Sequence, residues 1–240
     1  MYIQSFKRYE KKYLLTEEQY RAFIEKTSDI ICPDSYGLHT IRNIYLDTDD
    51  YTLIRRSLER PVYKEKLRIR SYCAPEEDTA VFFEIKKKYD GVVYKRRISL
   101  TSGELKEYLR SMERPESLVK TGDIQIFNEI DHLMKRMSPV PKVCLYYDRQ
   151  AFFGREDKEF RITFDSNIRS RTDDLTLADD RGELLDTGVA NYKLMEVKTT
   201  GAVPLDAARI MSELKIYPVS LSKYGEVYKK MQSERSSALC

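Results

Sequence analysis

Charged and apolar residues alternate along one strand-like segment after another in this chain, and that alternation constrains its fold more than anything else. In Lys64-Glu65-Lys66-Leu67-Arg68-Ile69-Arg70-Ser71-Tyr72, one face carries Lys64, Lys66, Arg68 and Arg70, and the other carries Glu65, Leu67, Ile69 and Ser71. A period of two is the signature of an extended strand. The same parity recurs elsewhere. Glu84, Lys86 and Lys88 lie opposite Val81, Phe83 and Ile85, and Lys95 and Arg97 lie opposite Ile98. Arg161, Thr163 and Asp165 lie opposite Phe160, Ile162 and Phe164, and Glu196 and Lys198 lie opposite Met195 and Val197.

The plainer explanation is an antiparallel sheet with one wet face and one buried face. Two details argue for more. The faces over 64–70 and 86–97 are strongly cationic, and like charges about 7 Å apart repel by roughly 2 kcal/mol at an effective dielectric of 20. Single carboxylates, Glu10, Glu84, Asp165 and Glu196, recur once per strand among the cations. Cations with a few carboxylates suit a polyanion and its divalent metal, Lys and Arg for phosphate oxygens and carboxylates for Mg²⁺ or Mn²⁺. The sheet would then be inverted, charged within and apolar without. Its apolar faces would lie under helices, and closure into a barrel would remove the sheet edges. Each carboxylate also has a bland role, Glu196 as an ion-pair partner of Lys198 and Asp165 as a partner of Arg161.

The remaining sequence fits one α+β domain over residues 1–240, with a short disordered tail from about 233. Thr16-Glu17-Glu18-Gln19 is a capping box. Residues 49–59 read as a short helix starting at Asp49 or Asp50, and helices follow near 102–112, 123–137, 204–215 and 223–232. Asp90-Gly91 between two alternating runs is the strongest hairpin signal. Residues 171–185 read as a solvated acidic loop. The net charge is only +3, so anion binding must come from local clustering, and nucleic acid is not an expected partner. The four cysteines lack metal-ligand spacing and read as reduced thiols, and the two histidines leave little room for His-dependent chemistry. No signal peptide or membrane span is evident, and a cytoplasmic location is expected.

The segments RYEKKYLLT, IYLDTDDY, KLRIRSY, FFEIKKK, YKRRISL, YDRQAFF, FRITFD, LMEVKTTG and SLSKYGEVY resemble, in order, the motifs of the VTC domain, the polyphosphate polymerase domain of the triphosphate tunnel metalloenzyme superfamily related to CYTH proteins. The resemblance spans residues 4–232. It implies a closed eight-stranded antiparallel β-barrel, a tunnel with a charged interior covered outside by helices. The implied reaction moves the γ-phosphate of ATP to the end of a polyphosphate chain with Mn²⁺ or Mg²⁺. The implied catalytic set is Arg68, Arg70, Lys86, Arg149, Arg161, Lys198 and Glu196, with Lys12, Arg97, Lys223 and Glu84 also contacting ATP or cofactor. Glu196 matches the family's metal-binding glutamate, with Glu10 as a helper. Lys223 sits where a helix N-terminus also favours an anion. Where CYTH proteins carry two glutamates before the first-strand lysine, this chain reads Arg8-x-Glu10-x-Lys12, which fits the polymerase branch better than the hydrolases. A triphosphatase of the same fold, and a non-catalytic polyphosphate-binding module, are the alternative readings. Some family members imply a membrane protein that receives the product, so membrane association would run through a partner.

Overall fold

A computed structural model of the chain describes residues 9–59, 61–90, 92–189 and 191–237. Arg8, Gly91 and Cys240 lie outside these. In chain order the elements are β1 (Tyr9–Leu15), α1 (Glu17–Lys26), β2 (Ile31–Pro33), β3 (His39–Asp47), α2 (Thr52–Leu58), β4 (Tyr63–Ser71), β5 (Ala80–Tyr89) and β6 (Val92–Thr101). They continue with α3 (Ser102–Ser111), α4 (Thr121–Met137), β7 (Val140–Gly154), β8 (Arg161–Arg171), β9 (Glu183–Leu184), β10 (Lys193–Thr199), α5 (Leu205–Glu213), β11 (Pro218–Val219) and α6 (Lys223–Ser237).

The chain divides into two compact units. The first comprises the residues up to Thr40 together with Tyr147–Ile168 and Leu184–Ser222. Its strands run in the order β11-β1-β10-β8-β7, with β2 paired to β7. The second comprises Ile41–Tyr146, Arg169–Glu183 and the chain from Lys223 on. Its strand order is β8-β7-β3-β4-β5-β6, so β7 and β8 contribute to both units in turn. The pairs β1/β10, β10/β8, β3/β4, β4/β5 and β5/β6 are all antiparallel. The ladder runs from β11 to β6 and does not close among the described residues. The fold is therefore α+β with a mostly antiparallel sheet, and the closed eight-stranded barrel expected from the sequence is not what its hydrogen bonds form.

Each unit has its own apolar core, and each core lies on the apolar face of its strands. In the first, Tyr13, Leu15, Ile162, Phe164, Met195 and Val197 pack with Phe23 of α1 and Ala207 and Met211 of α5. In the second, Leu67, Ile69, Val81, Phe83, Ile85 and Ile98 pack with Leu105 and Tyr108 of α3 and with Phe127, Ile130, Leu133 and Met134 of α4. The period-two alternation makes this one-sided burial possible, because a single register places most of the apolar residues under the helices. Thr16 and Gln19 form the expected capping box on α1, and Thr101 and Glu104 form a second on α3. Asp90 takes the positive φ of 42° that the tight hairpin between β5 and β6 requires. Residues 171–185 are more ordered than a solvated loop: Arg171 pairs with Asp179 at 2.5 Å, Arg181 with Asp174 at 3.1 Å, and β9 pairs with β8. No helix of the described residues is long and apolar enough to cross a membrane.

Helix α2 departs from the sequence reading. Its N-cap, Tyr51, has the left-handed φ of 59° and offers no capping side chain. The capping carboxylate is neither Asp49 nor Asp50. It is Asp47, at the end of β3, whose oxygens accept from the backbone N–H groups of Leu53 at 2.8 Å and Ile54 at 3.0 Å. The Thr48 N–H at 2.8 Å and the Tyr224 hydroxyl of α6 at 2.9 Å donate to the same carboxylate. Asp47 is fully buried. Four donors converging on one carboxylate explain how a charged group is tolerated there. Asp47→Ala is expected to lower unfolding free energy by about 3 kcal/mol or more, since it strands these donors together. Asp47→Asn, which keeps an acceptor oxygen, should cost clearly less, and urea denaturation of the two variants measures the difference.

Candidate functional site

Opposite each apolar core the strands present charge, and in each unit a buried carboxylate organises it. In the second unit that residue is Glu84, 1% exposed. It sits on β5 directly across from Arg68 of β4 and Arg97 of β6. Arg68 Nε donates to Glu84 Oε2 at 2.6 Å, and Arg70 Nε lies 4.0 Å from the same oxygen. Lys95 Nζ lies 3.1 Å and an Arg97 terminal nitrogen 3.9 Å from Oε1. Two neighbours on β3 complete the arrangement: Arg70 donates to Asn43 Oδ1 at 3.0 Å, and Arg68 donates to the Tyr45 hydroxyl at 3.2 Å. Lys86 shares this strand face, level with Lys66 on one side and Lys95 on the other.

The Tyr45 ring in turn stacks on Tyr224, with centroids 4.7 Å apart and planes 21° from parallel. Tyr224 and its neighbour Lys223 form the buried first turn of α6. The hydrogen bond from Tyr224 to Asp47 therefore anchors the helix end that carries Lys223.

In the first unit the central carboxylate is Glu196 on β10, 6% exposed. It stands across from Lys12 on β1 and from Thr163 on β8. Lys12 Nζ and Lys198 Nζ each lie 3.4 Å from its oxygens, and an Arg149 terminal nitrogen lies at 3.6 Å. Arg149 also grips the buried Asp165 with both arms, Nε at 2.6 Å and a terminal nitrogen at 2.8 Å. Burial works against the Arg149 charge, but Asp165 foremost, with Glu196, holds its pKa above the ordinary arginine value. Lys12 further donates to the Leu221 carbonyl at 3.0 Å. Lys198 lies between Glu10 and Arg161 in register, and Arg161 caps the Phe153 ring at 4.8 Å. Glu10 is exposed.

The expected residues thus fall into two groups. Arg68, Arg70, Lys86, Arg97 and Glu84 share one strand face of the second unit, where Lys223 opens α6. Lys12, Arg149, Arg161, Lys198, Glu196 and Glu10 share one face of the first. Lys95 was not among the expected site residues, although parity put it on one face with Arg97. Asn43 and Tyr45 carry no such signal, because neutral residues on a charged face look like ordinary strand residues. Among the described residues no group of three or more His, Cys, Asp or Glu side chains converges on a point.

The charges shift the acidity of their neighbours. Burial pushes the Glu84 carboxyl up, but Arg68, Arg70 and Lys95 outweigh it and hold the pKa at about 2, below its ordinary 4.5. Desolvation first, then Arg68 and Arg70, press the Lys95 ammonium below the ordinary lysine value against the pull of Glu84. Solvent on its exposed flank screens part of that effect. A carboxyl whose pKa is depressed on folding stabilises the protein above its unfolded value and loses that contribution as pH falls through the folded one. For Glu84 the contribution is roughly 3 kcal/mol, present above about pH 4.5 and lost towards pH 2. Glu84→Gln is therefore expected to be less stable than wild type at pH 6, with the gap narrowing between pH 4.5 and 2. Urea midpoints across that range check it, and parallel pH profiles would refute it.

Residues 7–232 match the family model of the VTC domain. Among solved structures, a candidate adenylate cyclase from Bacillus halodurans is similar over 90% of this chain and 95% of its own, at 17% identity and a TM-score of 0.50. A candidate adenylate cyclase from Vibrio parahaemolyticus is similar over 94% and 99%, at 14% identity and a TM-score of 0.48. At these identities the likeness concerns the fold alone. No curated protein sequence matches the chain. With motifs, strand faces and family model in agreement over nearly its whole length, the chain belongs to the VTC domain family.

Proposed function

We propose that this chain is an ATP-dependent polyphosphate polymerase that transfers the γ-phosphate of ATP to the end of a polyphosphate chain. The observation that carries the reading is the pair of charged strand faces in a member of this family, each with cations gathered round a buried carboxylate. Arg68, Arg70, Lys86, Arg149, Arg161 and Lys198 are assigned to binding phosphate oxygens. Lys12, Arg97 and Lys223 extend the basic contacts. Phosphoryl transfer asks a protein mainly for positioning and charge neutralisation. Arg68 and Arg149 meet that need because Glu84 and Asp165 already hold their guanidinium groups in place before substrate arrives. The attacking terminal phosphate is an anion at neutral pH, so no strong general base is needed.

The donor set fits a hard divalent cation, Mn²⁺ or Mg²⁺. Glu10 and Glu196 are diagonal neighbours on one face of the β1/β10 pair, the first across from Lys198 and the second across from Lys12. Two carboxylates completed by phosphate oxygens and water are a usual Mg²⁺ environment. When bound, the cation supplies further neutralisation of charge on the phosphate oxygens. The reading places the protein in the cytoplasm, with a membrane protein as the recipient of its product.

Incubation with ATP and Mn²⁺, with products run on a gel, is expected to give a polyphosphate ladder. Release of orthophosphate alone would make the chain a triphosphatase, and triphosphate binding without turnover would make it a binding module. Arg68→Ala combined with Arg70→Ala should lower polymer formation at least about 100-fold, the loss of two charge-assisted contacts, while circular dichroism reports the folded state. Undiminished synthesis by that folded variant would overturn the assignment.

A further inference from the structure

We propose that the Thr163 hydroxyl is a phosphate-oxygen donor on the charged face of the first unit and so a further binding residue for the polyphosphate or triphosphate substrate; the inference rests on the polymerase reading. On β8, Ile162 and Phe164 enter the apolar core, and Arg161, Thr163 and Asp165 take the opposite face. Thr163 is 2% exposed. Its Oγ1 is buried and has no hydrogen-bond partner among the described residues.

The neighbours explain why this hydroxyl stays unpaired. Glu196, directly across from it, is engaged by Lys12, Lys198 and Arg149, and Asp165, two residues along, accepts both arms of Arg149. The backbone carbonyls of a paired strand are taken up by the ladder. Other buried threonines of this unit solve the problem locally. Thr27 donates to the Phe23 carbonyl at 2.6 Å, and Thr199 at the end of β10 donates to the Ala202 carbonyl at 3.3 Å, each accepting carbonyl lying outside the sheet. A buried, unpaired hydroxyl is a standing cost, whereas valine of the same shape would carry none.

The surroundings select the missing partner. Lys12, Arg149, Arg161 and Lys198 share this face with Glu10, Asp165 and Glu196, and Asp34 lies 4.0 Å from Arg161, so the charges balance and four cationic side chains offer N–H donors to a tetrahedral oxyanion there. A hydroxyl has one proton to donate and no charge. It therefore adds a directed contact to a phosphate oxygen without adding to the repulsion among the cations.

The test compares wild type, Thr163→Val and Thr163→Ser by calorimetry with inorganic triphosphate in the presence of EDTA, alongside thermal unfolding. Thr163→Val should weaken triphosphate binding about tenfold or more, with a melting temperature unchanged or raised. Thr163→Ser should bind within about threefold of wild type. If Thr163→Val binds triphosphate as wild type does, the hydroxyl meets only water and the inference fails. A loss confined to samples with Mn²⁺ would make it a metal contact and also overturn it. A wild-type chain that makes polymer while Thr163→Val is unaffected sinks this inference alone. A wild-type chain that does not bind triphosphate sinks it together with the polymerase reading.

Discussion

Cations crowded on one strand face repel one another, and the buried carboxylates that answer this repulsion hold the rest of the structure in place. Around Glu84, four side chains on two flanking strands bring positive charge within 4.0 Å of one carboxylate. Unit charges about 7 Å apart along a strand face cost roughly 2 kcal/mol per pair at an effective dielectric of 20, so a face built from such residues is not stable without a counter-ion in its midst. A carboxylate buried alone would be equally untenable. Each sign makes the other tolerable, which is why acids recur singly, one per strand, instead of in clusters.

The same arrangement settles what the helices do. Once one strand face is given to charge, the other must be covered, and α1 and α5 in the first unit and α3 and α4 in the second supply that cover with Phe23, Met211, Tyr108 and Phe127. These helices cover the apolar faces, and α4 also reaches charged strand residues there, with Glu129 pairing to Lys87 at 2.6 Å and to Arg96 at 3.3 Å. Helix α6 is the exception. Its first turn is tied by Tyr224 to Asp47 and stacked on Tyr45, itself a hydrogen-bond partner of Arg68. One strand, β3, thus caps α2, anchors α6 and steadies an arginine through two side chains on its own charged face.

What could be read from the sequence was what depends on near neighbours. Parity placed Arg68, Arg70, Lys86 and Arg97 on one face and Leu67, Phe83 and Ile85 on the other, because a strand's two faces are fixed by counting. The Thr16 capping box and the Asp90 turn were legible for the same reason. Contacts made across the chain were not. Asp47 caps residues six and seven positions later in place of the nearer Asp49 or Asp50. Lys12 reaches the Leu221 carbonyl 209 positions away. The order of strands, the open ends of the ladder and the division into two units depend on such pairings, and no local pattern encodes them. Thr163 drew no notice in the sequence because a threonine in a strand needs no explanation until its hydroxyl is found buried and unpaired.

The two central carboxylates are held differently, and the difference bears on their roles. Glu84 accepts a 2.6 Å hydrogen bond from Arg68 and has Lys95 at 3.1 Å. Those are tight contacts, and giving them up would leave a nearly solvent-free carboxylate without compensation. Glu196 has its cations at 3.4 to 3.6 Å, too long for strong charge-assisted hydrogen bonds. Attraction falls only slowly over such distances while hydrogen bonding falls steeply, so these three cations act on Glu196 mainly through their charge, with Lys198 also donating to it. Drawing Arg68 from Glu84 costs a short hydrogen bond. Glu84 is thereby a counter-ion that orients Arg68 through a short hydrogen bond, whereas Glu196 meets Lys12, Lys198 and Arg149 at longer range.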